Sequence, residues 1–600
     1  MGRAIAPASS PRAGVPDVPF CLSVGVTGHR NVMPGEVGPS MRERLDHVLV
    51  DLRDAAVRLH AAEAASFAPT VQPPRLVCPL APGADQLAAT AALELGYELH
   101  VILPFRRREY ANDFLVGNDL ADFDALFAQA SRVLELPCAR DEAPSAYALA
   151  GRATVAHSDV LVAIWDGLPA RGTGGTAEVV EDALRRGAPV IHVPVDATLA
   201  VRLIWSAHDP HLLQSRVDEI GARDLDDYGF DALVRHLLAP PDDVIERAHF
   251  EMFRHERERR IKPRIEYPLL LAATGSRRLA RSALVVPPYL ADLGAGLAHV
   301  AGTTPAAAMT TWRSAYAWSD RLAAHFAQSY RSGHVFNFLA GALAVVLGLS
   351  GLFLPEVKLW LAFAELAVIG GFVVNTRIGV ASNWHRRWLD YRQLAERLRP
   401  MDSLTRAGIA QPDLRSTARG SRSWVDWYAA AIWRNIGLPA GELTGEIKAL
   451  TTDIVDGEII PQVAYHRASA TSISLLDHRL HRAGTLLFVV SCLSCIAFII
   501  AYLVAHRWTA SHATAFVALS AGLPAIGTAF FGIRVQGDFA GTAARSQGTA
   551  DHLAAIAAAL HSEKTSLSRT ADGIESAARA MLADLGEWRL SHQQRQLELG

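Results

Sequence analysis

The fold of the chain is decided by the stretch Trp165-Asp-Gly-Leu-Pro-Ala-Arg-Gly-Thr-Gly-Gly-Thr-Ala-Glu178. An apolar, β-branched run ends at Ile164, directly before it, and is typical of a buried parallel strand. Residues 177–186 favour a helix that Gly187 ends, and the next apolar run is 189–193. This order predicts a strand, a loop, a helix and a second strand.

The glycines of this loop allow a ligand to approach the backbone. They can adopt positive φ angles, so backbone N–H groups can point at a phosphate above the start of the helix. Glycine-rich turns of this kind are also common in proteins that bind no nucleotide. The candidate ligand-binding residues here are Asp166, Gly167, Arg171, Gly172, Thr173, Gly174, Gly175, Thr176 and Glu178.

Three earlier strands are predicted to end in similar loops. Strands at 20–26 and 75–80 are followed by Thr27-Gly28-His29-Arg30 and Ala81-Pro-Gly-Ala-Asp85, and a third strand is predicted at 97–103. Ligands of open α/β sheets bind at the carboxyl ends of the strands, so these loops should converge on one site. The further candidates are Gly25, Thr27, Gly28, His29, Arg30, Gly83, Ala84, Asp85 and Tyr110.

Composition excludes several classes of protein. A chain of 600 residues is too long for one core, and a formal charge of −3 argues against a nucleic-acid binder. The five cysteines are too few and too scattered for a disulfide framework, and Cys492 and Cys495 lie in an apolar run that favours small core residues over a metal site. We therefore expect no metal and no covalent cofactor. With 50% hydrophobic residues, however, the chain is unusually apolar for a soluble protein.

The high content of hydrophobic residues is concentrated in four long apolar runs. They are 335–354, 359–376, 484–505 and 513–533, and each is long enough to cross a bilayer. Short turns pair them into two predicted hairpins. Glu365 interrupts the second run, and because charge within a span is costly, it is a candidate for lining a pore or for packing between helices.

Basic residues predict the orientation of these spans. Arginines flank the ends opposite the two short turns, at Arg331, Arg377, Arg386, Arg387, Arg482 and Arg534. The turns carry little beyond Lys358 and Arg507. The positive-inside rule therefore places both termini and the α/β domain in the cytosol.

The remaining segments complete the predicted organisation. Residues 1–19 are expected to be disordered, and both halves of the membrane region share the order span, turn, span and long helix, which suggests a duplication. The predicted units are an α/β domain at 20–245, a connecting segment at 246–310, a first hairpin with cytosolic helices at 311–470, and a second hairpin at 471–600 with one long helix over 540–590.

The strand-end motifs resemble a known family. Val26-Thr-Gly-His-Arg30, Leu80-Ala-Pro-Gly-Ala-Asp85, Val101-Ile-Leu-Pro-Phe105, Tyr110 to Phe114, and Gly172-Thr-Gly-Gly-Thr-Ala-Glu178 are similar in order and spacing to the SLOG superfamily. This Rossmann-like group joins the lonely-guy hydrolases, DNA-processing proteins and nucleotide-sensing domains of bacterial conflict systems. The resemblance covers roughly residues 20 to 200 and implies a Rossmann-like parallel sheet that binds a nucleotide or a nucleotide-derived ligand.

The glutamate departs from the lonely-guy pattern. There, Gly-Thr and two further residues precede a catalytic glutamate, whereas here only Ala177 separates Gly175-Thr176 from Glu178. One residue turns a helix by about 100°, so the carboxylate need not reach the same point. We therefore favour a domain that binds a nucleotide over one that hydrolyses it. For Glu178, two roles carry equal weight: capping free N–H groups at the start of its helix, and contact with the ligand. Asp85 is likewise either an N-cap or an acceptor for ribose hydroxyls.

The second half of the chain resembles the SLATT family of bacterial membrane effectors. The apolar runs carry the resemblance, together with helices such as Trp384-His-Arg-Arg-Trp388 and Trp424-Val-Asp-Trp-Tyr428, over residues 311–590. Members of this family pair membrane spans with cytosolic helices and often with SLOG sensors. The two resemblances imply an effector that senses a nucleotide and opens a pore, or disrupts the membrane, in antiphage or stress defence. In keeping with these bacterial families, the membrane expected for the spans is the inner (cytoplasmic) one. Four spans are few for a lumen, so we expect a homo-oligomer.

Two alternatives remain open at this point. A membrane-anchored phosphoribohydrolase or N-glycosidase would use Glu178 with Arg30 or Arg171. A pump or transporter would need coupling carboxylates, and the spans offer only Glu365.

Overall fold

The computed structural model combines an α/β part with a helical part. It describes residues 14–30, 38–114, 118–169, 173–205, 220–287, 306–412, 423–443, 447–504, 506–562 and 566–592. Arg171 and Gly172 of the predicted site lie outside these ranges, as do residues 1–13 of the predicted disordered segment.

The α/β part is built on one nine-stranded sheet with the order β8-β7-β6-β5-β1-β2-β3-β4-β9. The strands are β1 Ser23–Gly28, β2 Arg75–Cys78, β3 Glu98–Leu103, β4 Arg132–Glu135, β5 Val160–Trp165, β6 Val190–Pro194, β7 Arg202–Ile204, β8 Ala222–Asp224 and β9 Gly441–Glu442. All pairs are parallel except β6 with β7 and β7 with β8. The predicted α/β fold with a mainly parallel sheet is therefore confirmed.

The chain changes direction across the sheet between β1 and β5. Strands β2, β3 and β4 follow β1 on one side, and β5 and β6 lie on its other side. In open sheets of this kind, ligands bind outside the carboxyl ends of the strands at such a point. The loops after β1 and β5 are the two in which the sequence places most of the candidate ligand residues.

Nine helices accompany the strands in the described part of the first 287 residues. They are α1 Gly38–Ala62, α2 Ala84–Glu94, α3 Arg107–Tyr110, α4 Asn118–Gln129, α5 Ala143–Ala156, α6 Thr176–Arg185, α7 Asp227–Leu238, α8 Val244–Arg254 and α9 Glu266–Ala273. Helix α7 packs on α1, and α5 packs on α6. Helices α5 and α6 approach so closely at Gly151 that a side chain there would collide with Val179.

The helical part is described from residue 306 onward. Its helices are α10 Ala306–Ser350, α11 Lys358–Ala381, α12 Trp384–Leu398, α13 Met401–Ala407, α14 Trp424–Ile436, α15 Ile447–Ile454, α16 Ile460–Val504, α17 His506–Gly537, α18 Phe539–Leu560 and α19 Leu567–His592. A π-helical turn, Val455–Ile459, joins α15 to α16.

Four helical stretches of the described chain are long and apolar enough to cross a membrane. They are Ala306–Ser350, Pro355–Ala381, Ile447–Val504 and His512–Leu560. The most apolar window of the second has 0% of its residues buried. Apolar surface of this extent, with no protein covering it, indicates a membrane protein.

Two units of the helical part share one plan. Helices α10 and α16 each contain 45 residues, and each packs along the helix that follows it, α11 or α17. Each following helix is then broken by a left-handed residue, Asn383 with φ 50° or Asp538 with φ 44°. An aromatic residue, Trp384 or Phe539, begins the next helix. These matching lengths and break points support the duplication that the order of segments suggested.

The left-handed Asn383 separates α11 from α12, so residues 384–398 form a helix of their own. One expectation for the helices is wrong. The single helix expected over 540–590 is two helices, α18 and α19. The hydroxyl of Ser566 accepts a hydrogen bond from the Arg569 N–H at 3.3 Å and caps the start of α19. This serine was therefore the local sequence signal that a second helix begins here.

The two parts of the molecule share one continuous apolar core. Every residue of α14 is buried, and β9 adds to the sheet beside β4, although both follow the second apolar helix in the chain. The indole N–H groups of Trp427 and Trp433 donate to the carbonyls of Leu238 and Ala156 at 2.8 and 3.2 Å. The tryptophan-rich segment expected beside the spans is thus part of the α/β core.

The predicted boundaries at 19 and 245 do not coincide with breaks in this core. Val18 is buried, and the hydroxyl of Tyr428 donates to the Pro16 carbonyl at 3.3 Å. Helix α8 crosses the boundary between residues 245 and 246, and its Phe253 packs on Trp424 at a ring distance of 4.9 Å. The charged residues that follow Arg254 reach this core as well, since Glu256 is buried and pairs with Arg387 of α12.

Candidate functional site

A pocket opens at the carboxyl ends of β1 and β2. It encloses about 70 Å³. On this measure one water needs roughly 10–15 Å³, so the pocket has room for a small polar group such as a phosphate. Its polar and glycine lining comes from β1 and the loop after it, from α2, α3 and α5, and from the loop before α6 and the first residue of that helix. These residues are Thr27, Gly28, Arg30, Asp85, Tyr110, Tyr147, Gly151, Thr154, Gly174 and Thr176.

Most candidate residues predicted for the strand ends lie in or beside this pocket. Thr27, Gly28, Arg30, Asp85, Tyr110, Gly174 and Thr176 line it. Gly25, Gly83 and Ala84 do not line it and lie in β1 and at the start of α2. Asp166, Gly167, Thr173 and Gly175 are not among the lining residues.

Glycine is required where the walls of the pocket meet. Gly83 has φ 88°, and a side chain there would collide with the carbonyl of Arg30. Gly174 has φ 83°, and a Cβ there would lie 2.8 Å from the carbonyl oxygen of Pro144. These glycines let two loops approach β1 and α5 closely enough to form the pocket.

Glu178 is engaged with its own loop. Its Oε2 atom accepts a hydrogen bond from the Gly174 N–H at 2.5 Å, and Glu178 does not line the pocket. This bond engages an N–H of the loop before the N-cap residue Gly175 and is therefore close to, but not the same as, the capping role weighed against ligand contact. A phosphate that used the Gly174 N–H would have to replace this carboxylate.

Asp85 is a buried carboxyl group in the pocket wall. It is 3% exposed and accepts a hydrogen bond from the Ala81 N–H at 3.2 Å. Burial raises its pKa to about 7, although this hydrogen bond and the charge of Arg30 act in the opposite direction. The N-cap of α2 is Gly83, so Asp85 is not that cap. A carboxyl with a pKa near neutrality can either donate to a ligand or accept from it.

The hydroxyl of Tyr110 is buried without a partner. Tyr110 is 0% exposed, and its Oη atom has no hydrogen-bond partner in the described part of the chain. Burial raises the pKa of this phenol well above its usual value. Leaving a buried hydroxyl unpaired costs about 1–3 kcal/mol, so a ligand atom that bonded to it would recover this free energy.

Arg30 enters the pocket beside a carboxylate that the sequence did not indicate. Its Nη2 atom lies 3.6 Å from Asp113 Oδ2, and its guanidinium lies 4.7 Å from the ring centre of Tyr147. Asp113 also pairs with Arg140 and accepts a hydrogen bond from the Tyr147 hydroxyl. Asp113 falls in the 110–114 segment, but Tyr147 lies on α5, and no local pattern joins them.

His29 and Asp166 form the edge of the site between β1 and β5. Their side chains are 3.3 Å apart, and the Asp166 N–H donates to the His29 Nε2 atom at 3.2 Å. Both side chains are partly exposed. They lie at the direction change of the sheet, where a ligand larger than the pocket would extend.

Glu365 lies in α11 and faces the neighbouring helix. A Cβ at Gly348 of α10 would lie 3.4 Å from Glu365 Oε2. Sequence reasoning missed an uncharged network in the same helix pair, in which Asn375 Nδ2 donates to Asn337 Oδ1 at 2.7 Å and Asn337 Nδ2 donates to Thr376 Oγ1 at 2.9 Å. Without a charge, these residues did not stand out in the apolar runs.

Comparisons with known proteins return no match, whether with family models, curated proteins or solved structures. The function therefore has to be argued from the residues of this chain.

Proposed function

We propose that the protein is a membrane effector whose SLOG-like α/β part binds a nucleotide or nucleotide-derived molecule in this pocket. Binding then changes how the membrane-spanning helices pack. The observation that carries the proposal is that α5 and α6, which form two walls of the pocket, are both tied to the C-terminal helix α19.

The pocket suits a ligand with an anionic group and hydroxyl groups. Arg30 supplies a positive charge at the wall, and Asp85 and Tyr110 supply buried polar atoms beside it. A phosphate on Arg30 would compete with Asp113, while a sugar hydroxyl could bond to Asp85 and Tyr110. The remainder of the ligand would extend along the edge formed by His29 and Asp166.

Glu575 of α19 connects this helix to both walls of the pocket. Its Oε1 atom lies 3.1 Å from Arg152 Nη2 of α5 and 3.1 Å from Arg186 Nη1 at the end of α6. Burial opposes ionisation of Glu575, but the two arginines outweigh it and lower its pKa. A ligand that separates α5 from α6 must therefore strain or break these contacts.

A change at α19 can reach the apolar helices directly. Helix α19 packs on α18, which begins immediately after α17, the last of the four apolar helices. Moving a two-state gate from mostly shut to mostly open needs about 5.5 kcal/mol of differential binding. Several charge-assisted hydrogen bonds to a phosphate are of this order.

The proposed output is a pore, or loss of membrane integrity, in a homo-oligomer of SLATT-like hairpins. Both termini and the α/β part would lie in the cytosol, and Glu365 is the pore candidate. The exposed apolar surface of α11 supports contacts with lipid or with further copies of the chain. Antiphage or stress defence follows from the family resemblance alone.

The test uses the full chain in liposomes with a panel of nucleotides. Ligand recovered intact from the complex, together with leakage that depends on it, supports sensing. Release of a free base would favour the alternative, a membrane-anchored N-glycosidase or phosphoribohydrolase. The contact between Glu178 and Gly174 argues against that alternative, because the carboxylate is already engaged. If no nucleotide binds and none induces leakage, the proposal is wrong.

A further inference from the structure

A second cavity lies where the apolar helices meet α9, α12 and α18. It encloses about 30 Å³ and is lined largely by aromatic and aliphatic side chains. Among its lining residues are Tyr267, Arg331, Val335, Trp388, Ile533 and Phe539. Most of these side chains are buried, so the cavity is a preformed feature of the packing.

The cavity lies at one end of the apolar spans. Val335 begins the first predicted span and Ile533 ends the fourth. Trp388 belongs to α12, and Phe539 begins α18, the helices that follow the second and fourth apolar helices. This is the level at which a bilayer changes from hydrocarbon to headgroups, where aromatic and basic side chains are enriched.

Arg331 brings a positive charge to this apolar cavity. Its guanidinium lies 4.9 Å from the ring centre of Trp388 and 5.5 Å from that of Tyr267. Within the described ranges of the chain, it makes no salt bridge with a carboxylate. Arg534, which follows Ile533, is by contrast paired with Asp477 at 2.9 Å. A partly buried cation without an acidic partner leaves a position for an anionic ligand.

We propose that this cavity binds the headgroup of an anionic phospholipid. The phosphate lies against Arg331, with the side-chain amide of Gln536 beside it. The acyl chains lie outside, along exposed apolar residues such as Val535, which is 70% exposed. An apolar, aromatic wall suits an amphiphile and not a hydrated free phosphate, and the small volume admits headgroup oxygens while the chains stay in the bilayer. This site is independent of the nucleotide pocket.

The test compares variants of the full chain in nanodiscs of phosphatidylcholine with a minor fraction of phosphatidylglycerol. Native mass spectrometry then counts the phosphatidylglycerol retained by each chain. Arg331→Gln is expected to weaken retention on the order of tenfold, because a charge-assisted contact is lost. Arg377→Gln removes an exposed arginine near the end of α11, outside the cavity, and is expected to retain the lipid.

Three results would overturn the site: equal retention by Arg331→Gln and the wild-type protein, equal loss in Arg377→Gln, or displacement of the lipid by inorganic phosphate alone. If Arg331→Gln does not fold, the wild-type protein and Arg331→Lys still test the proposal. It must retain phosphatidylglycerol over phosphatidylcholine, and Arg331→Lys, which keeps the charge, must bind it more weakly than the wild-type protein but above the phosphatidylcholine background.

Discussion

Glu575 Oε1 lies 3.1 Å from Arg152 Nη2, across a separation of 423 residues in the chain. Glu575 is 5% exposed, and the same oxygen also accepts the Gln411 N–H at 3.1 Å. This contact fixes the C-terminal helix to the helix that forms one wall of the pocket. Because of this contact, we expect ligand binding in the α/β part to change the packing of the apolar helices.

Replacing Glu575 with Gln should uncouple the two parts of the molecule. Arg152, Arg186 and Arg579 would lose the carboxylate that they share, which we expect to destabilise the protein by about 3 kcal/mol. Ligand binding should persist while ligand-dependent leakage is lost. Thermal unfolding in detergent and liposome leakage measure the two effects.

Asp572→Asn is the matched control, because Asp572 pairs with the same Arg152 at 2.6 Å but is 62% exposed. Its loss should cost less than about 1 kcal/mol and leave leakage intact. If Glu575→Gln leaves leakage unchanged, the signal does not pass through α19.

Replacing Tyr110 with Phe should separate stability from ligand binding. The hydroxyl has no partner in the described chain, so its removal should leave the unfolding temperature unchanged or raise the stability by up to about 1 kcal/mol. Ligand affinity should fall, as calorimetry on the full chain would show. Tyr97→Phe is the control, because that hydroxyl donates to the Leu49 carbonyl at 2.7 Å. Its loss should destabilise the protein by about 1 kcal/mol. An equal loss of stability in both variants would mean that Tyr110 has a partner after all.

Asp85 should make the stability of the protein depend on pH. Its pKa rises from the ordinary 3.8 to about 7 on folding, so the folded state holds a proton that the unfolded state releases. This contribution is fully present below the unfolded pKa and is lost as the pH rises through the folded pKa. The unfolding temperature of Asp85→Asn should therefore fall less steeply over that range than that of the wild-type protein. Parallel profiles would show that Asp85 ionises normally.

Local patterns predicted the elements whose signals are contained in short stretches. The strands at β1, β2, β3, β5 and β6 and the loops of the pocket were found because a β-branched run, a glycine and a polar strand end lie together in the sequence. The carboxyl ends of parallel strands meet at one edge, so convergence of the loops followed from the fold class.

Local sequence patterns did not predict the contacts between segments that are distant in the chain. Strand β9 pairs Gly441 with Leu134, and two residues are too few to carry a strand signal of their own. The tryptophans of α14 were assigned to the cytosolic helices of the first hairpin unit, over 311–470, and not to the α/β core. Their burial against the sheet depends on partners 189 and 277 residues earlier in the chain, which one sequence does not reveal.

The α/β part should not fold as a separate domain, although its sequence motifs end near residue 200. Arg434 of α14 pairs with Asp159 at 2.9 Å, and the two side chains are 7% and 12% exposed. Arg132 donates to the carbonyls of Ile436 and Leu438 at 2.9 and 2.8 Å. A fragment that ends at residue 287 would leave Asp159 and Arg132 without these partners and expose the apolar surface that α14 covers, so we expect it to aggregate or to exchange its amide hydrogens rapidly. Co-expression with residues 306–600 should restore protection, as hydrogen exchange would measure. A soluble fragment with cooperative unfolding would instead show that the sheet folds without the core that it shares with α14.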